Sequence, residues 1–293
     1  MTRLFRIAML GLLLLLAAAC GSTPAPTATP LPPAPTALPP TATPAPATEA
    51  ADPTPTSAPQ TGVITVGIDP SFEPFVFLQE NKLAGFDVDL LNAMAAAGDF
   101  EVAYVVTSFD EIFSGLENGK YAAAISAITV TDERKTRVDF TAPYFESGKA
   151  PVSFYNPGQG IAIRTDNTTI TGTASLTAGV QVGVKKGTTG AAFAAEETSA
   201  DIVEFADAPA AIAALVAGEV DAVIVDIPVI VGYIKSNPTA NIRVTGGPVT
   251  EEAYAIAVSK EKPAVLATLD AALVDVQESG AYDQIYARWF GAP

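Results

Sequence analysis

Histidine is absent from this 293-residue chain, and cysteine occurs once, at Cys20. Intrachain disulfides, His-based catalytic triads and zinc sites built on imidazole and thiolate are therefore excluded by inventory. Basic residues are scarce as well: 16 Lys and Arg stand against 32 Asp and Glu, for a net charge of −16. Nucleic acid and anionic lipid faces are poor partners for such a surface. What the chain does have is length for one large or two ordinary domains and 49% hydrophobic residues, enough to build real cores.

The apolar run over 7–19, preceded by Arg3 and Arg6 and ending in small residues, is too short to span a bilayer comfortably but suits a signal peptide. The order LLAAAC resembles the lipobox of bacterial lipoproteins, with Ala17 where leucine is usual. On that resemblance residues 1–20 are a lipoprotein leader and Cys20 is lipidated, tethering the protein to the outer face of the cell membrane. The alternative is a conventional leader cleaved nearby, with an incidental cysteine. Residues 21–61 are Pro, Thr and Ala, with thirteen of the 24 prolines and only Glu49 and Asp52 as charges. Such a stretch buries no core and reads as an extended spacer, reaching up to roughly 120 Å at ~3.1 Å per residue.

Periodic structure begins after the spacer. A strand is expected over 63–69, then a helix in which Phe86, Leu90 and Met94 recur with helical spacing, Asp87 and Asp89 occupy the first turn and Gly98 is the stop. A strand over 100–106 follows. Ser108 and Glu111 have capping-box spacing for a helix with Ile112 and Leu116 inward, and a strand is expected over 121–126. The same grammar returns about a hundred residues later: strands over 180–184, 201–205 and 221–225, with helices starting at Thr188 and Asp207. ENGKYAAAIS and VAGEVDAVIV each read as a helix end, a glycine and an apolar strand. Two last helices are expected over 263–278 and 281–290. Alternating strands and helices imply α/β architecture with mostly parallel sheets flanked by helices, in two similar lobes.

In open α/β sheets, ligands collect at the carboxyl ends of the strands. That rule selects Asp69, the segment Ser126 to Thr129, and Asp226, facing a crevice between the lobes where helix N-termini offer unpaired N–H groups. The blocks GIDPSFEPFVF, LAGFDVDLLNAMA, TSFDEIFSGLENGKYAAAISAITVTDERKTRVDFTAPYFESG, VGVKKGTTG, VDAVIVD and GAYDQIYARWFG then occur in an order that resembles the family 3 extracellular solute-binding proteins. These are polar-amino-acid receptors of ABC importers with the type 2 periplasmic binding protein fold. The resemblance implies a first lobe of 62–150 with 251–293, and a second lobe of 151–250.

By the same resemblance Arg134 clamps a ligand α-carboxylate, helped by Thr129, the Ala127 amide, Ser126 and, from the second lobe, Thr188 and Thr189. The chemistry agrees, since a guanidinium meets a carboxylate bidentately. The plainer alternative for the DERK cluster is a solvated first helical turn. Asp226 is implied as the partner of the ligand ammonium, although an aspartate before Pro228 is equally a good helix N-cap. Phe72 and Phe109 are implied to bracket the ligand side chain; ordinary core packing is the alternative for Phe109. Asp69 lies where it would accept from a side-chain amide, ammonium or guanidinium, and nearby Phe faces would suit a cation.

The expected function is a monomeric receptor that closes two lobes on a polar amino acid, glutamine or a basic one favoured, and delivers it to an ABC permease. No cofactor or metal is called for. Two rivals stay open: a cleft enzyme resembling cyclohexadienyl dehydratases, with Glu73 or Asp69 as acid, and a sensory module without transport. KAPVSFYNPGQG, at 149–160, reads as an insertion of about eight residues near the first interlobe crossing.

Overall fold

The computed structural model describes residues 62–148 and 157–291. The expected leader, Cys20, the spacer and residues 149–156 of the expected insertion lie outside the described residues.

Strand β1 (Val63–Ile68) buries Ile64, Val66 and Ile68. A small meander follows, β2 (Ser71–Phe72), β3 (Val76–Gln79) and β4 (Lys82–Ala84), and leads into helix α1 (Phe86–Gly98). After β5 (Glu101–Val106) come α2 (Ile112–Glu117), β6 (Ala123–Ala124), α3 (Asp132–Arg137), β7 (Asp139–Phe140) and β8 (Phe145–Glu146). The second lobe runs β9 (Gln159–Arg164), β10 (Gln181–Lys185), α4 (Thr189–Glu197), β11 (Asp201–Phe205), α5 (Ala208–Ala217), β12 (Ala222–Asp226), α6 (Ile227–Ser236) and β13 (Ile242–Thr245). The chain then returns to the first lobe with β14 (Ala253–Tyr254), β15 (Ala257–Val258), α7 (Pro263–Glu278) and α8 (Ala281–Phe290).

Each lobe holds one five-stranded sheet, ordered β5-β1-β6-β15-β7 in the first and β11-β10-β12-β9-β13 in the second. In both, the first three strands are parallel, the fourth runs antiparallel to them, and the fifth pairs antiparallel with the fourth. Local chemistry sets the element ends. Asp207 accepts from the Ala210 N–H at 2.8 Å to cap α5, and Gly218, at φ 80°, supplies the left-handed residue that ends it. Thr188 caps α4 in the same way at 3.2 Å.

Three local expectations are corrected. The strand expected over 121–126 pairs only at Ala123–Ala124, because the chain then turns through Ala127, at φ 46°, and leaves the sheet edge. Ser108 makes no capping bond: its hydroxyl bonds the Asp110 carboxylate, and the segment begins as a 3-10 turn over Phe109–Glu111. Helix α1 is closed by Asp99 in the left-handed region, φ 52°, rather than by Gly98.

The lobes differ in what fills them. The first is knit by aromatic rings: Phe75 sits 5.3 Å from Phe145 and 5.4 Å from Tyr254, and Phe290 closes on Phe145 at 5.1 Å. Each such pair contributes roughly 0.5–1.5 kcal/mol beyond its buried area. The second lobe packs mainly aliphatic side chains, among them Ile161, Ile163, Val182, Val184 and Ile224. The two crossings between lobes are fastened to each other. Ser147 N–H donates to the Glu252 carbonyl at 3.0 Å, Glu252 N–H donates to Ser147 Oγ at 3.0 Å, and Gln159 N–H donates to Thr250 Oγ1 at 2.8 Å.

Candidate ligand cleft

The site forms where the ends of β1, β6, β10 and β12 converge between the lobes. Helix α3 starts there. Thr131 caps it by accepting from the Arg134 N–H at 3.1 Å, and the turn that results points Arg134 inward while Asp132, Glu133 and Lys135 face water. Arg134 is only 6% exposed. Its Nη1 donates to the Thr129 carbonyl at 2.8 Å and its Nη2 reaches across to the Gly187 carbonyl at 3.3 Å. The guanidinium also lies 5.4 Å from the Phe109 ring centre and 5.1 Å from that of Phe113. Burial draws its pKa down, and the carboxylates of Glu252 and Asp226 oppose that. So the DERK cluster is a first helical turn, but its arginine is not solvated.

Asp226 ends β12 in the opposite lobe. It occupies the N-cap position of α6 without making a capping bond; its carboxylate instead accepts from the Tyr254 hydroxyl. Burial, then the neighbouring Glu252, raise its pKa to about 7 against the opposing hydrogen bonds of Tyr254 and Gln159. The capping alternative is therefore not realised, and the carboxylate faces the cleft.

Phe72 and Phe109 line the same cavity as Arg134 and Asp226, and Phe109 also packs against Ile112 and Phe113, so its two readings coexist. Ser126, Ala127, Thr129, Thr188 and Thr189 complete that lining together with Lys185. The cavity is about 10 Å³, room for about one water. Beyond Arg134 the cleft widens to a mouth of about 740 Å³, bordered by Glu133, Arg137, Lys186 and Glu204.

Four expected contacts are already committed to other partners. The Asp69 carboxylate accepts from Ser71 Oγ at 2.7 Å and from the ammonium of Lys185 at 2.5 Å, a pair in which Lys185 is 2% exposed. The cation over the Phe faces is thus the protein's own: Lys185 Nζ stands 5.3 Å from the Phe72 ring centre and 5.2 Å from that of Phe109. The Ala127 N–H donates to Asp87 at 2.8 Å, into the first lobe. Asp87 is fully buried, accepts from the Tyr144 hydroxyl at 2.9 Å as well, and is pushed by that burial to about 7. The Thr129 hydroxyl donates to Glu252 at 2.9 Å. Thr189 accepts from the Gln159 amide at 3.1 Å.

Residues 64–292 match the family model described as bacterial extracellular solute-binding proteins, family 3. The chain belongs to that family. A probable histidine-binding protein of Neisseria gonorrhoeae is 36% identical over 233 residues, covering 78% of this chain and 83% of the relative. The ABC transporter glutamine-binding protein of Bacillus subtilis is 32% identical over 216 residues, covering 71% and 73%. Among solved structures, the arginine-, lysine-, histidine-binding protein ArtJ of Geobacillus stearothermophilus superposes with a TM-score of 0.72 at 34% identity, covering 78% of this chain and 96% of that one. The two-lobed type 2 periplasmic binding protein architecture follows from these likenesses and from the sheet order.

Sequence reasoning missed Lys185, Glu252, Gln159 and Tyr254. Lys185 carried a usable signal, since it ends an apolar strand beside the one that Asp226 ends. Glu252 carried none.

Proposed function

We propose that the protein is an extracytoplasmic receptor that closes its lobes on a polar amino acid and delivers it to an ABC permease, anchored through a lipid on Cys20. The single observation that carries this reading is the buried Arg134 guanidinium, held between the lobes with Asp226 opposite it. A zwitterion matches that arrangement: its carboxylate takes the guanidinium fork and its ammonium takes the aspartate. Binding closes the hinge because only the closed form lets both lobes touch the ligand. The named specificities of the relatives, for histidine, glutamine and arginine, support an amino acid as cargo. The lipobox-like LLAAAC and the Pro/Thr-rich spacer support a tethered receptor.

The far end of the cleft bears on the side chain. Asp69 is neutralised by Lys185, so that end offers a donor and an acceptor side by side rather than a bare carboxylate. A carboxamide uses both, its carbonyl meeting Lys185 and its NH₂ meeting Asp69. Glutamine is therefore favoured over arginine and lysine. The enzyme reading finds little support: Asp69 is held by Lys185, and Glu73 is exposed and accepts from Ser236 at 3.1 Å on the outside of the cleft.

A thermal-shift panel of the common amino acids tests the reading. A ligand at about a hundred times its Kd stabilises by roughly 2.7 kcal/mol, a clear rise in melting temperature. Glutamine should give the largest rise; a panel with no response overturns the proposal, and turnover of prephenate or arogenate would favour the enzyme.

A further inference from the structure

Glu252 is an acidic residue on the second crossing between the lobes, yet it is 6% exposed and bonded directly behind Thr129, which lines the cleft. Its Oε2 accepts from Thr129 at the strand end of the first lobe, 2.9 Å away. Its Oε1 accepts from Gln159 Nε2 at 3.2 Å and from Thr250 Oγ1 at 3.3 Å. Gln159 is the register partner of Asp226 across β9 and β12, and its own Oε1 is buried with no partner among the described residues. One hub thus joins both crossings to the strand end that carries Thr129 and the one that carries Asp226.

Charge counting shows what the hub lacks. Lys185 is taken by Asp69, which leaves Arg134, among the described residues, as the one cation facing both Glu252 and Asp226. A ligand that brings only a carboxylate to Arg134 would gather three carboxylates around one guanidinium. An ammonium set against both protein carboxylates removes that excess. We propose that Glu252 is a second carboxylate of the ammonium subsite, sharing the ligand's positive charge with Asp226 and tying its capture to the crossing that Glu252 fastens to Ser147. This rests on the amino-acid-binding reading above.

The test is calorimetric titration of the full mature protein with L-glutamine, and with L-arginine and L-histidine as further probes, between about pH 5 and 9. The titrating groups that face Asp226 are Glu252, Arg134 and Tyr254, with Lys185, paired to Asp69, on the same cavity wall. In wild type, affinity should rise with pH through about 7 as Asp226 loses its proton. Glu252→Gln should weaken binding about tenfold and move the inflection to lower pH, because the carboxylate that adds to burial in raising the Asp226 pKa is gone. Glu252→Asp, which keeps the charge, should retain the wild-type inflection and serves as the comparison if the glutamine variant does not fold. Unchanged affinity in Glu252→Gln, or weaker binding with an unmoved inflection, overturns the proposal while leaving the receptor reading intact. A wild type that binds none of the three amino acids overturns the receptor reading first and this inference with it.

Discussion

The two lobes share one strand order and end their third strand differently. In the second lobe β12 runs its full length into the cleft and delivers Asp226 directly at its tip, with α6 starting at once. In the first lobe the matching strand β6 pairs for two residues and then unravels through the left-handed Ala127 before α3 begins. That irregular stretch is what brings Arg134 back over the cleft. A regular strand suffices to place a short acid, whereas a long cation that must be buried needs a detour and its own aromatic bed on Phe109 and Phe113. The lobes are also complementary in sign. The first offers Arg134 and Asp69, the second Asp226 and Lys185, and Lys185 already reaches Asp69.

The sharpest way to break this comparison is to remove the first lobe's cation. Arg134→Ala should abolish the thermal response to every amino acid, a loss of roughly 100-fold or more in affinity, checked by titration against the wild type. Its counterpart, Asp226→Asn, should cost less, about tenfold, since Glu252 remains beside it. It should also remove the pH dependence: the raised pKa of about 7 means that wild-type Asp226 is protonated below that pH and a poor ammonium partner, so affinity rises with pH only while this carboxyl is present. Next, Lys185→Met leaves Asp69 buried in the closed conformation as an uncompensated charge. Competition between ligands should then move from glutamine toward arginine and lysine. The smallest effect is expected at the outer interlobe pair. Lys186 and Asp110 meet at 3.2 Å with exposed side chains, so Lys186→Ala should change affinity by less than about fivefold.

How much of this was legible varied with the kind of signal. Helices α7 and α8 match their expected bounds because Pro263, Gly280 and the apolar spacing between them are strong local cues. The repeated helix–glycine–strand grammar announced two similar lobes, and Gly119 and Gly218 both take the left-handed conformation that such a helix end requires. The end of β6 was misjudged because the apolar residues continue to Ile128 and only tertiary demand makes the chain leave the sheet. Two doublets show the limit for the site. In Lys185–Lys186 and Glu251–Glu252 one member is buried and its neighbour is exposed. A like-charged doublet reads as solvated whichever member turns inward, and the partners that decide it, Asp69 for the lysine and Thr129 for the glutamate, lie more than a hundred residues away. Asp69 itself was placed correctly at a strand end, but its partner was sought in the ligand instead of the facing lobe.

The most direct measurement is a crystal structure of the mature protein with L-glutamine. The account predicts the ligand carboxylate in bidentate contact with the Arg134 guanidinium and its ammonium on Asp226, with the lobes closed and the carboxamide at the Lys185–Asp69 pair. A ligand bound in the opposite sense, or an Arg134 guanidinium turned to bulk water with the amino acid held elsewhere, would contradict it.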